Sequence, residues 1–94
     1  MFTFEIHSKS DCPWCSEAKS YFTHHNMDYK EYLYDAFDDR QLMYDRFDLA
    51  LPYRSVPQIF LIQNDRREYI GGYTDLIRAN LTERLQMENF DADF

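Results

Sequence analysis

Lys9-Ser10-Asp11-Cys12-Pro13-Trp14-Cys15 is the stretch that decides the reading of this chain. Two cysteines separated by two residues close so small a ring that a disulfide between them would add only about 2 kcal/mol before strain. As a staple the pair is poor, and the spacing suits catalysis, redox sensing or metal binding. Pro13 has no backbone N–H to lose and a φ already suited to a helix, which predicts a helix opening there with Cys12 as its N-cap. The Cys12 sulfur then sits where a capping oxygen would accept backbone N–H groups. The helix terminus favours its thiolate, against a free thiol pKa of about 8.5, and Lys9, which reads equally as a solvated loop lysine, is the best candidate for a cation that adds to this. Asp11 opposes the thiolate if its carboxylate points inward. Cys15, three residues on, is placed to resolve a mixed disulfide formed at Cys12.

A lowered thiol pKa does not by itself make a faster nucleophile. A drop of about 3 units raises the thiolate fraction at pH 7 roughly 30-fold, while a Brønsted β of about 0.4 to 0.5 lowers intrinsic nucleophilicity roughly 20-fold. What survives is leaving-group ability: a stabilised Cys12 thiolate departs readily when another thiol attacks its mixed disulfide.

Upstream of the dithiol, Phe2-Thr3-Phe4-Glu5-Ile6 alternates apolar and polar as a strand does. Downstream, Ala18, Phe22 and His25 share a helix face, Asn26 ends the helix, and Tyr29 to Tyr34 alternates again. This is a βαβ unit, whose two strands run parallel. In 36–49, Phe37, Tyr44 and Phe47 recur near helical spacing and predict a second helix. After Pro52 and Pro57, the run Gln58 to Ile62 reads as a buried strand, Asn64-Asp65 as a turn and Glu68-Tyr69-Ile70 as the hairpin partner. Gly71-Gly72 breaks the chain, and Thr74 is expected to cap a last helix with Ile77, Leu81 and Leu85 on one face. The acidic segment 88–94, with its two Phe residues, reads as a frayed helix end in preference to a docking peptide.

Composition bounds the rest. The 94 residues allow one domain over 1–94, which buries roughly 60 to 65% of the unfolded chain's surface. With 18% aromatics, including eight Tyr and eight Phe, bulky side chains suffice to fill that core without metal or staple. Ten Lys and Arg against seventeen Asp and Glu give a formal charge of −7, which argues against nucleic acid and anionic membrane partners. No stretch approaches the roughly 20 apolar residues that span a bilayer, and the strand-like run from Phe2 leaves no room for a secretory signal. A cytosolic monomer is expected. Zinc at a CxxC usually needs two further Cys or His ligands, and the histidines are His7, His24 and His25. The adjacent pair suits a helix C-terminus, and His7 suits packing beside the site.

Three motifs stand in register: Lys9 to Cys15, Arg54-Ser55-Val56-Pro57-Gln58-Ile59-Phe60, and Gly71-Gly72-Tyr73-Thr74-Asp75-Leu76. Together they resemble the glutaredoxin family in its dithiol form, with Trp14 where Tyr is commoner and without the Gly often found in 48–53. The order of elements and the resemblance both imply an α/β thioredoxin fold: a four-stranded mixed sheet with flanking helices, βαβαββα. The resemblance further implies an enzyme that uses glutathione as reductant and no metal, with Cys12 attacking and Cys15 resolving. Protein disulfides and glutathione mixed disulfides are the implied substrates, and ribonucleotide reductase an implied client. The implied glutathione site joins Trp14, Ser55, Gly72 and Tyr73 to four sets of contacts: Val56 pairing its backbone with the cysteinyl part, Pro57 as a cis proline facing Cys12, Thr74 and Asp75 holding the γ-glutamyl end, and Lys9 and Arg54 meeting the glycyl carboxylate. Two other functions compete. One is a dimer holding a [2Fe-2S] cluster through Cys12 and glutathione, against which Pro13 stiffens the loop. The other is a redoxin served by thioredoxin reductase, against which Lys9 and the Thr74-Asp75 pair stand.

Overall fold

A computed structural model describes residues 2–81. Strand β1 (Phe2–Ser8) leads through a tight turn into helix α1 (Pro13–His24), followed by β2 (Tyr29–Leu33), α2 (Phe37–Arg46) and a 3₁₀ turn (Leu51–Tyr53). A hairpin of β3 (Gln58–Gln63) and β4 (Arg66–Gly71) then feeds α3 (Tyr73–Arg78). The sheet order is β2-β1-β3-β4, with β1 parallel to β2 and antiparallel to β3, and β3 antiparallel to β4. This is the four-stranded mixed sheet of the thioredoxin fold.

Local chemistry accounts for most of the joints. Asn26, Asn64 and Asp65 take left-handed backbone conformations, with φ of 55, 52 and 65°, which short polar side chains tolerate. The first therefore stops α1, and the other two turn the β3–β4 hairpin in the way that matches the twist of its strands. Lys19 and the Ser8 hydroxyl both reach the Glu31 carboxylate, at 3.0 and 2.7 Å, and tie α1 to the β1–β2 pair.

The period-2 alternation of the strands divides the interior in two. On one face Phe4, Ile6, Ile59 and Leu61 meet Ala18 and Phe22 of α1 and Leu76 of α3, with Phe4 and Phe22 stacked at 4.5 Å. On the other face His7, Tyr32 and Phe60 gather beneath Phe47 at the end of α2.

Three expectations are corrected. Gly72, not Thr74, holds the N-cap position of α3, because the Asp75 carboxylate accepts the Gly72 N–H at 3.0 Å and the chain enters the helix at Tyr73. The helix stops at Arg78 as Asn80 turns left-handed, so Leu76 and Leu81 are buried and Ile77 is exposed. In α2 the exposed side carries Phe37, and Met43 and Tyr44 go inward. Leu85 and the acidic segment 88–94 lie outside the described residues.

Candidate active site

The dithiol stands where β1 hands over to α1. Its approach is fixed by Asp35, whose carboxylate accepts the Ser10 N–H at 2.7 Å and the Ser10 hydroxyl at 2.9 Å. These two bonds, backbone first, hold the exposed Asp35 carboxyl below its ordinary range. Asp11 then makes the turn in a left-handed conformation, φ 55°, with its side chain exposed rather than folded inward.

Cys12 is the N-cap of α1 with Pro13 at the first helical position, as the sequence predicts. The Cys15 N–H donates to Cys12 Sγ at 3.1 Å, and the Ser16 N–H donates to the Cys12 carbonyl at 3.0 Å. The sulfur thus fills the place of a capping oxygen. The two cysteines are joined as a disulfide. Cys12 retains 8% of its surface and Cys15 1%, so an incoming thiol meets Cys12 first.

Across from the disulfide, the Val56–Pro57 peptide bond is cis, and the Val56 carbonyl oxygen lies 3.9 Å from Cys12 Sγ. A groove of about 330 Å³ runs away from this point. Trp14, 60% exposed, stacks on Tyr73 with ring centroids 5.6 Å apart and forms one wall. Ser55, Val56 and Pro57 line the groove from the loop before β3, and Gly72, Thr74 and Asp75 line it from the start of α3. Gly71, at φ 116°, must be glycine here, since a Cβ would run into the Asp75 carboxylate.

Eight of the ten residues expected at a ligand site thus come together: Trp14, Ser55, Val56, Pro57, Gly72, Tyr73, Thr74 and Asp75. Lys9 and Arg54 lie outside the lining. The Arg54 guanidinium is turned toward α2, where it pairs with Asp45 at 2.7 Å and donates to the Leu49 carbonyl at 2.9 Å. Four lining residues escaped the sequence reading, namely Pro52, Tyr53, Gln58 and Tyr69. The signal for Gln58 was a polar residue opening an otherwise apolar buried strand. For Tyr69 there was only its place in the hairpin opposite Phe60.

His7 does not line the groove. It is buried among Tyr32, Tyr34, Phe47 and Phe60, with Nδ1 2.8 Å from the Tyr34 hydroxyl and Nε2 3.2 Å from Glu5 Oε1. Burial pushes its pKa down, and the Glu5 contact only partly offsets this. Among the described residues, no group of three or more His, Cys, Asp or Glu is placed to hold a metal ion, and no helix is long and apolar enough to cross a membrane.

A CxxC disulfide at a helix N-terminus, beside a cis-proline loop that leads into a mixed four-stranded sheet, defines a thioredoxin-fold protein with redox-capable cysteines. The family model described as Glutaredoxin matches residues 4–66, and the chain belongs to the glutaredoxin family. Glutaredoxin-2 of Schizosaccharomyces pombe is 32% identical over 71 residues, covering 76% of this chain. The match spans 61% of that relative's length. Glutaredoxin 1 from Francisella tularensis, solved with cacodylate, superposes with a TM-score of 0.75 at 32% identity, over 92% of this chain and 99% of its own. The buckwheat glutaredoxin-glutathione complex shares the fold, with a TM-score of 0.65 at 20% identity over 89% of this chain and 73% of its own.

Proposed function

We propose that this chain uses glutathione to reduce glutathione mixed disulfides and protein disulfides. The observation that carries the reading is the position of Cys12: its sulfur caps α1 and lies 3.9 Å from the carbonyl of Val56, which with Thr74 and Asp75 lines the groove. A tripeptide laid along that groove pairs its cysteinyl backbone with Val56 and brings its sulfur to Cys12. Its γ-glutamyl ammonium meets the Asp75 carboxylate, and its carboxylate meets the start of α3. Membership of the glutaredoxin family supports the same ligand, and the buckwheat glutaredoxin is known in complex with it.

Two routes follow from the two cysteines. In the first, the Cys12 thiolate attacks the glutathione sulfur of a mixed disulfide; that S–S bond breaks and the client leaves as a thiolate. A second glutathione thiolate attacks the same glutathione sulfur, releasing oxidised glutathione and returning the Cys12 thiolate. In the second, Cys12 attacks a client disulfide, Cys15 attacks the resulting intermediate, and the client leaves as a dithiol. The Cys12–Cys15 disulfide that remains is the form seen in the structure, and two glutathiones reduce it.

The family resemblance points to ribonucleotide reductase as one protein client, and a monomer in the reducing cytosol is the setting proposed for this chemistry. The test is NADPH-coupled turnover with glutathione, glutathione reductase and a glutathionylated peptide. Turnover that depends on glutathione and on Cys12 is expected. Equal turnover with thioredoxin reductase in place of the glutathione system would overturn the reading.

A further inference from the structure

Resting on the reading of the groove as the glutathione site, we propose that Gln58 and Tyr69 are positioning residues that set the Val56 backbone against the substrate. Gln58 opens β3 with 1% of its surface exposed, a buried amide in a strand whose next four residues are apolar. Its Nε2 donates to the Tyr53 and Ser55 carbonyls, each at 2.8 Å. Both partners are acceptors only, so the amide has one workable orientation and Oε1 faces the other way. There it accepts the Tyr69 hydroxyl at 2.5 Å.

The geometry that brings Tyr69 to this point is a bulge. Ile59 pairs with Gly71 and Phe60 with Tyr69, so Ile70 is an extra residue on β4 and the strand is re-aimed beside the groove. The Tyr69 ring packs on Phe60 with centroids 5.3 Å apart. Gln58 lies two residues from Phe60 and so on the same face, where the hydroxyl reaches it. Burial and the nearby Asp75 charge both raise the Tyr69 phenol pKa, which keeps it a donor.

The two carbonyls held by Gln58 flank Arg54, and Arg54 is itself tied to Leu49 and Asp45. The segment that ends in Val56 is therefore gripped from the sheet side by Gln58 and from α2 by Arg54. Removing the Tyr69 hydroxyl leaves Gln58 Oε1 buried without its donor and frees the amide to turn, which slackens the sheet-side grip. The capping of Cys12 by α1 is untouched, so the effect falls on substrate pairing rather than on sulfur chemistry.

The test compares the full chain with Tyr69→Phe, which keeps the ring on Phe60. Two quantities are measured: KM and kcat for a glutathionylated peptide, and, in the oxidised protein without glutathione, hydrogen exchange of the Arg54 and Ser55 backbone amides, which donate to the Leu51 and Tyr53 carbonyls at 3.1 Å each. In the variant, KM should rise about fivefold with kcat within about twofold, and exchange at Arg54 and Ser55 should speed up by a similar factor, as expected for one lost hydrogen bond. Unchanged exchange overturns the proposal whatever KM does, since Tyr69 then acts by touching substrate. Faster exchange with unchanged KM, or a fall in kcat alone, overturns it too. If the unaltered chain does not turn over the peptide at all, the glutathione reading falls by itself, and exchange at Arg54 and Ser55 still decides whether Tyr69 and Gln58 hold the loop.

Discussion

Cys12 Sγ accepts the backbone N–H of Cys15 at 3.1 Å, so the attacking sulfur is capped by the peptide group of the residue proposed to resolve it. In the reduced protein the same N–H and the α1 terminus face a thiolate, which they favour over a thiol. Thiolate absorbance of the reduced chain should therefore persist well below the free-cysteine value of about 8.5. Loss of the signal near that value would remove the capping account.

Asp75 has two tasks, and conservative replacement separates them. Its carboxylate accepts the Gly72 N–H at 3.0 Å and, in the proposed complex, meets the γ-glutamyl ammonium. Asp75→Asn keeps an oxygen for Gly72 but loses the charge. The KM for a glutathionylated peptide should rise about tenfold, the low end for a hydrogen bond to a charged group because Asp75 is exposed, while Tm changes little. Asp75→Ala should lose Tm as well. An Asn variant with unaltered KM would take Asp75 out of the site.

Buried His7 makes stability depend on acidity. Its pKa lies below the free value of 6.5 in the folded chain, so the unfolded chain binds more protons there and stability rises with pH. The contribution is complete above about 6.5 and is lost as pH falls from there through the lowered folded value. His7→Phe retains an aromatic ring against Tyr32 and Phe60. It also leaves the Tyr34 hydroxyl with Arg46 and Glu5 with Arg67. That variant should lose the part of the Tm decline that begins near pH 6.5 and runs down through the lowered folded value of His7. An identical decline in both proteins would assign it to other groups.

What could be read from the sequence is what short-range chemistry settles. Pro13 after Cys12 fixes the helix start, Asn26 its end, and Asn64-Asp65 the hairpin, each through one residue's backbone preference. The motifs around Val56 and Asp75 placed most of the groove. Helix faces were harder: Ile77 and Leu76 are adjacent, and the choice between them rests on where α3 begins, which the Asp75 to Gly72 bond decides. Phe37 looked like core by its chemistry, yet it lies in the first turn of α2 and stays outside while Met43 and Tyr44 go in. Least legible were contacts between distant segments. Nothing local tells that Arg54 turns to Asp45, or that a bulge at Ile70 brings Tyr69 to Gln58.

The central claim is the division of labour between a capping Cys12, which keeps the larger exposed surface, and a more deeply enclosed Cys15, and single substitutions test it most directly. Cys12→Ser should abolish both deglutathionylation of a peptide and reduction of a protein disulfide, because a serine hydroxyl does not attack sulfur at neutral pH and Cys15 is shielded at 1% exposure. Cys15→Ser should keep deglutathionylation, since Cys12 is freed by a second glutathione, and should lose reduction of the protein disulfide, which needs an internal thiol. Measuring both activities on both variants decides the matter. Deglutathionylation lost equally in the two, or retained in Cys12→Ser, would contradict the assignment.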